Sequence, residues 1–162
     1  MSKRIDAASV AAVIGTMYPP PFDEPCRNRE RRRLGDAAGL KQFGVNLLRL
    51  PPGSWSSQRH WHSHEDEFVY VLSGEVTLVS DSGTELLRAG DAAGFPGGVA
   101  DGHCLQNRSS AEAVVLEVGS RKPTEDATTY PGIDLLSPAD NKPAMFTRRD
   151  GTPYPNAGRR TP

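Results

Sequence analysis

Three histidines at alternate positions, His60, His62 and His64, run directly into three carboxylates, Glu65, Asp66 and Glu67, in the stretch RHWHSHEDE. Imidazole nitrogen and carboxylate oxygen are donors that first-row divalent metals accept together, so the chemistry to weigh is metal binding. Side chains alternate across a strand, which puts Gln58, His60, His62 and, if the strand persists, His64 on one face. Two imidazoles at i and i+2 on one face can close on one ion. Glu65 and Asp66 suit the turn that follows. Glu67 stands at the first position of the next apolar run, in phase with Val69 and Val71, and is the carboxylate favoured as a ligand. By itself His-x-His more often decorates an exposed strand beside an acidic hairpin tip, so a fourth ligand from elsewhere has to decide.

Such side chains need strands to aim them. From Phe43 to Val118 the chain reads as short strands: FGVNLLRL, SWSSQRHWH, EFVYVL, EVTLVS, TELLRAG, DAAGFP, HCLQN and AVVLEVG. Most alternate in hydrophobicity, and LPPG, SG, DSG and PGG separate them. This pattern predicts an all-β sandwich or barrel. No solenoid repeat is visible, and no long helix calls for an α/β fold. Upstream, DAASVAAVIG fits a short helix with Asp6 as N-cap and Gly15 just past its end, and the prolines of PPPF forbid continuation. The segment from Ser120 to Pro162 carries seven prolines among scattered hydrophobics such as Tyr130, Leu135 and Phe146. It is expected to wrap the barrel without regular structure, its last residues disordered. One domain results: an N-terminal helix and arm over 1–35, a barrel over 36–120, and an extension over 121–162 packing on the barrel or a partner.

A chain of 162 residues with net charge -1 has room for one core and lacks the basic excess that a polyanion or anionic membrane selects. No apolar stretch approaches membrane-spanning length. Cys26 and Cys104, without a secretion signal, suggest reduced thiols in the cytoplasm. RNRERRR, residues 27–33, holds five arginines around Glu30, and a solvated surface or interface segment is the favoured reading over phosphate or nucleic-acid binding. Trp61, Phe68 and Tyr70 are expected to be packing residues.

These residues resemble the cupin superfamily, small β-barrels in which two motifs share one metal site. The first reads GSWSSQRHWHSHEDEFVYVLSG, with Gly53, His60, His62, Glu67 and Gly74, and only the gap before His60 is a residue long. The second reads GDAAGFPGGVADGHCLQN, with Gly90, Pro96, Gly98, His103 and Asn107, and carries two extra residues before His103. The resemblance implies a jelly-roll barrel in which His60, His62, Glu67 and His103 bind one divalent ion, Mn, Fe, Ni or Zn. It leaves His64 off the metal, as a rim residue or acid–base group. Cys104, next to His103, is expected to face away as a buried structural thiol.

Four protein ligands on an octahedral ion leave two positions open. Small bacterial cupins similar to this chain are regarded as sugar-phosphate or mannose-6-phosphate isomerases. Such an enzyme would stabilise enediolate charge on the metal while a base moves a proton between neighbouring carbons, His64 and Glu65 being the nearest candidates. Gln58 is a candidate substrate or supporting hydrogen-bond group, and Arg49, Arg59 or Arg88 would meet a phosphate. An Fe(II)-dependent dioxygenase, which expects an apolar cavity, and a non-catalytic ligand-binding barrel are the alternatives. Cupins commonly pair through their sheets, so a homodimer is expected, with a small-molecule ligand and no nucleic-acid or membrane partner.

Overall fold

Alternation along the chain generates the strands, and pairing between distant segments arranges them. The computed structural model describes residues 4–155. In chain order the elements are β1 (Ala12–Ile14), β2 (Glu30–Arg33), α1 (Leu34–Ala38), β3 (Phe43–Leu50), β4 (Trp61–His62), β5 (Glu67–Ser73) and β6 (Glu75–Ser80). They continue with β7 (Gly83–Arg88), β8 (Ala92–Phe95), β9 (Cys104–Gln106), β10 (Ala113–Ser120), β11 (Thr128–Thr129) and β12 (Leu136–Ser137). One six-stranded sheet runs β1-β2-β3-β10-β5-β8; two three-stranded sheets run β12-β11-β4 and β7-β6-β9. All pairings are antiparallel. The result is the expected all-β barrel.

Inward positions on the three central strands change character along their length. On β3 they run Asn46, Leu48, Leu50; on β10, Ala113, Val115, Glu117; on β5, Glu67, Val69, Val71. Register aligns like with like: Val115 faces Leu48 and Val71, whereas Glu117 faces Asn46. The apolar ends, with Val76, Leu87 and Leu105, form one buried cluster. Burying a Leu or Val side chain here contributes about 1.5–3 kcal/mol each, enough to close that end of the barrel. The polar ends are left facing a cavity. Gly119 lies opposite Glu67, and a Cβ there would sit 3.3 Å from the Asp66 carbonyl and 3.8 Å from the Glu67 side chain, so the glycine lets β10 approach the site.

A second cluster, Tyr18, Cys26, Tyr130, Leu135 and Phe146, joins the N-terminal arm to the C-terminal extension. That extension does contain regular structure: β11 pairs with β4, so it packs on the strand carrying His62. The disorder expected at the end of the chain concerns residues outside those described.

Two local expectations change. The helix from Asp6 is a single 3-10 turn, Ala7–Ser9, with Asp6 capping Ala8; Ala12–Ile14 forms strand β1. Val13 and Ile14 are β-branched, and Glu30–Arg32 offers a ladder partner, so pairing overrides an Ala-rich helix. The arm over 1–35 thus contributes β1 and β2 to the main sheet. The long strand around SWSSQRHWH is reduced to Trp61–His62, preceded by isolated bridges of Trp55 with Gln106 and His60 with His103. Among the described residues no helix is long and apolar enough to cross a membrane. Cys26 and Cys104 are both buried and free, and burial pushes each thiol up to about 11.

Candidate metal centre

Glu67 opens β5 with its side chain inward, and three imidazoles converge on it. Its Oε2 lies 2.9 Å from Nε2 of His103, 3.3 Å from Nε2 of His60 and 3.6 Å from Nε2 of His62. His60 and His103 are neighbours through a reciprocal backbone bridge, His60 N–H to His103 O at 3.0 Å and the reverse at 2.9 Å. His62 arrives from β4. The ligand atoms of His60, His62 and Glu67 all lie within 4.8 Å of one another, and His103 joins them through its contact with Glu67.

The other ring nitrogens show why Nε2 points inward. His60 Nδ1 is 2.9 Å from the Gln58 carbonyl, His62 Nδ1 is 2.6 Å from Asp126 Oδ2, and His103 Nδ1 is 3.2 Å from the Asp101 carbonyl. Each partner is an acceptor, so each Nδ1 donates and each Nε2 presents a lone pair. Three lone pairs and a carboxylate then face one point, and positive charge is required between them. Burial works against ionisation of Glu67, yet the His60, His103 and His62 rings around it outweigh that and hold its carboxyl well below the usual range. A divalent ion would satisfy the same four groups together. Donors about 2.0–2.2 Å from one ion stand roughly 3.0–3.6 Å apart, close to the 2.9, 3.3 and 3.6 Å between Glu67 Oε2 and the three Nε2 atoms. The residues fit the group.

Asp126 was not among the sequence candidates. It is buried, bonds His62 Nδ1, and accepts from the backbone N–H of His64 at 2.8 Å and of Glu65 at 3.1 Å. One carboxylate thereby orients a ligand and shapes the loop before Glu67. Its only sequence signal is an acidic pair before Thr128–Thr129, in a tail 64 residues from His62. Phe95 stacks on His103 at 3.6 Å and 2°, fixing that ring. Asp126→Ala is expected to weaken metal binding about 10–100-fold, measured by chelator competition, because a supporting partner of a ligating histidine is lost.

The site residues read from the sequence divide. His60, His62, Glu67 and His103 come together. His64 is exposed and its Nδ1 meets Ser63 Oγ at 2.8 Å; it lines neither of the two cavities that touch the cluster, so its position does not carry the acid–base role expected of it. Glu65 does line the cavity beside Glu67. Gln58 is also displaced: its side chain donates to the Phe22 carbonyl at 2.7 Å, and only its backbone carbonyl serves the site. The strand parity that grouped Gln58 with the histidines fails because residues 56–59 are bends.

The cavity has a volume of about 360 Å³ and extends from His60, Glu67 and His103 to an arginine-rich wall. Part of the segment at 27–33, expected to be a solvated surface, supplies that wall, while Arg27 and Arg32 lie outside it, paired with Asp23 and Glu30. Arg29, Arg31 and Arg33 alternate inward, two of them on β2, because β2 pairs with β3 and turns one face to the interior. Arg121 joins them. The three arginines expected at the mouth lie elsewhere: Arg49 pairs with Glu112, Arg59 with Asp81 and Arg88 with Glu75, none of them lining this cavity. Phe68 and Tyr70, expected to pack, face outward and are exposed.

Comparison with known proteins places this geometry. Residues 46–119 match the family described as the cupin domain. No curated protein matches the chain. Among solved structures, a sugar phosphate isomerase from a cupin superfamily, from Silicibacter pomeroyi, is 41% identical, with 97% of this chain and 100% of that one covered at a TM-score of 0.86. A candidate sugar phosphate isomerase from Acidithiobacillus ferrooxidans is 36% identical, with 67% and 69% covered at a TM-score of 0.63. The polyketide cyclase RemF from Streptomyces resistomycificus, 24% identical over 75% of this chain and 81% of that one at a TM-score of 0.60, shares the fold alone.

Proposed function

Since this chain belongs to the cupin superfamily, we propose that it is a metal-dependent enzyme that interconverts the aldose and ketose forms of a small sugar phosphate. The observation that carries the reading is the cavity that runs from His60, Glu67 and His103, three members of the metal cluster, to a wall of arginines. A dioxygenase acting on an apolar substrate would want an apolar cavity, whereas this one is lined by four arginines and by Asp36, Glu65, Glu67 and Glu117. The names of the two sugar phosphate isomerase relatives described above support the same substrate class.

A bound divalent ion would supply Lewis-acid polarisation of the substrate carbonyl. His60, His62, Glu67 and His103 hold it, with Asp126 fixing the His62 tautomer. Glu65 stands beside Glu67 in the cavity wall and is the group that takes the proton from the carbon next to the carbonyl and returns it to its neighbour. Its Oε1 accepts from the Lys122 backbone N–H, which holds the carboxylate in place and leaves the second oxygen for the substrate. Phe95 and Val69 add apolar wall to the same cavity.

The experiment is direct. Full-length protein loaded in turn with Mn, Fe, Ni or Zn is offered phosphorylated aldoses, and the ketose is followed by NMR. Ketose formation without oxygen uptake supports the proposal. Oxygen uptake points to the dioxygenase, and binding without turnover to a ligand-binding barrel.

We also propose a homodimer, built on the outer face of the six-stranded sheet. Val45, Leu47, Leu116 and Val118 continue there into Phe68, 44% exposed, and Leu72, 47% exposed, a surface of the kind that marks an interface. Light scattering at micromolar concentration is expected to give twice the chain mass, and Phe68→Glu to give the single-chain mass; a monomeric wild type counts against the dimer. The paired subunits would work in the cytoplasm, where both buried thiols stay reduced.

A further inference from the structure

Of the arginines in the cavity wall, three have carboxylate partners. Arg31 faces Glu117, with Nη2 donating to Oε1 at 2.9 Å and Nε 2.8 Å from Oε2. Arg33 lies 4.0 Å from Asp36, and Arg121 bonds the same carboxylate. Arg29 has none among the described residues. It is 7% exposed, and among the described residues its side chain makes one hydrogen bond, from Nε to the Gly15 carbonyl at 3.1 Å. Glu117 cannot serve it fully, because Arg31 and Asn46 engage both of its oxygens. A guanidinium stays charged in proteins, and a buried charge without a counter-ion is costly. Burial, and then the neighbouring Arg31 charge, press against protonation of Arg29. The Nη atoms that make no protein hydrogen bond belong to a side chain lining the cavity.

We propose that Arg29 anchors an anion subsite in this cavity, where its guanidinium fork, with Arg31 beside it, receives the phosphoryl group of the substrate. The proposal rests on the sugar-phosphate reading given above and adds the residue that selects the phosphorylated end. A planar fork of two N–H groups matches two phosphate oxygens, and the substrate's other end then reaches the Glu67 end of the same cavity.

The test titrates inorganic phosphate into the full-length, metal-loaded protein by isothermal calorimetry. Wild type is expected to bind it. Arg29→Gln, which keeps a donor for Gly15, is expected to bind about tenfold more weakly or worse. Arg88→Gln, outside the cavity, and His62→Ala, titrated without metal because it no longer holds one, are expected to retain wild-type phosphate affinity. No binding by wild type, equal binding by Arg29→Gln, or loss confined to His62→Ala would each overturn the subsite. Malonate run in parallel binding more tightly than phosphate would overturn the phosphoryl assignment. Should Arg29→Gln not fold, a wild-type crystal grown in phosphate decides: density on Arg29 supports the subsite, and density on the metal cluster alone overturns it. Phosphate binding that depends on Arg29 without any isomerisation would sink the enzyme reading while keeping the subsite; turnover of sugar phosphates unchanged by Arg29→Gln would do the reverse.

Discussion

His62→Ala is expected to lower bound metal from about one ion per chain to about a tenth of that or less after dialysis, as read by elemental analysis. The variant removes one of three Nε2 atoms facing Glu67 and leaves Asp126 without the ring it orients. A second readout follows from linkage. An ion that binds only the folded chain stabilises it by about 2.7 kcal/mol at a hundred times its dissociation constant, so added metal raises the melting temperature of wild type. That rise is expected to disappear in His62→Ala, while the metal-free variant melts below metal-free wild type because the buried Asp126 loses its His62 partner. Stoichiometric metal in the variant would remove the centre from these residues.

Glu65→Gln is expected to reduce kcat by about 10²–10⁴-fold, the usual contribution of a positioned proton carrier, with metal content unchanged. The amide has the carboxylate's shape and keeps an oxygen to accept from Lys122 N–H, so the loop is retained. What is lost is the ability to take a proton. His64→Gln, by contrast, is expected to leave kcat within about twofold, since that ring is exposed and bonded to Ser63. A large loss in His64→Gln with full activity in Glu65→Gln would reverse the assignment. Comparing the pair separates a group in the cavity from one that is merely adjacent in sequence.

Strand alternation was the legible part. It marked Glu67 as inward, in phase with Val69 and Val71, and it made His60 and His62 partners. Two motifs then supplied His103 by resemblance. The same alternation was present in Arg29, Arg31 and Arg33, but composition argued for a solvated run. Its inward face became visible only once β2 was seen to pair with β3, placing Arg31 opposite Leu48 and Arg33 opposite Asn46. Gln58 shows the opposite error, parity trusted across a segment that is not a strand.

By itself, then, the sequence determined the all-β class, most of the strands between Phe43 and Val118 and three metal-ligand candidates in one stretch with a fourth by motif. These depend on local period and spacing, which are written in consecutive residues. Tertiary structure alone decided that Asp126 holds His62 across 64 residues, that Glu65 rather than His64 meets the cavity, and that Arg29 stands there without a carboxylate. Those facts depend on which strands become neighbours and in what register. That choice is made by the burial of Leu48, Val71 and Val115 together, far from any of the residues it positions.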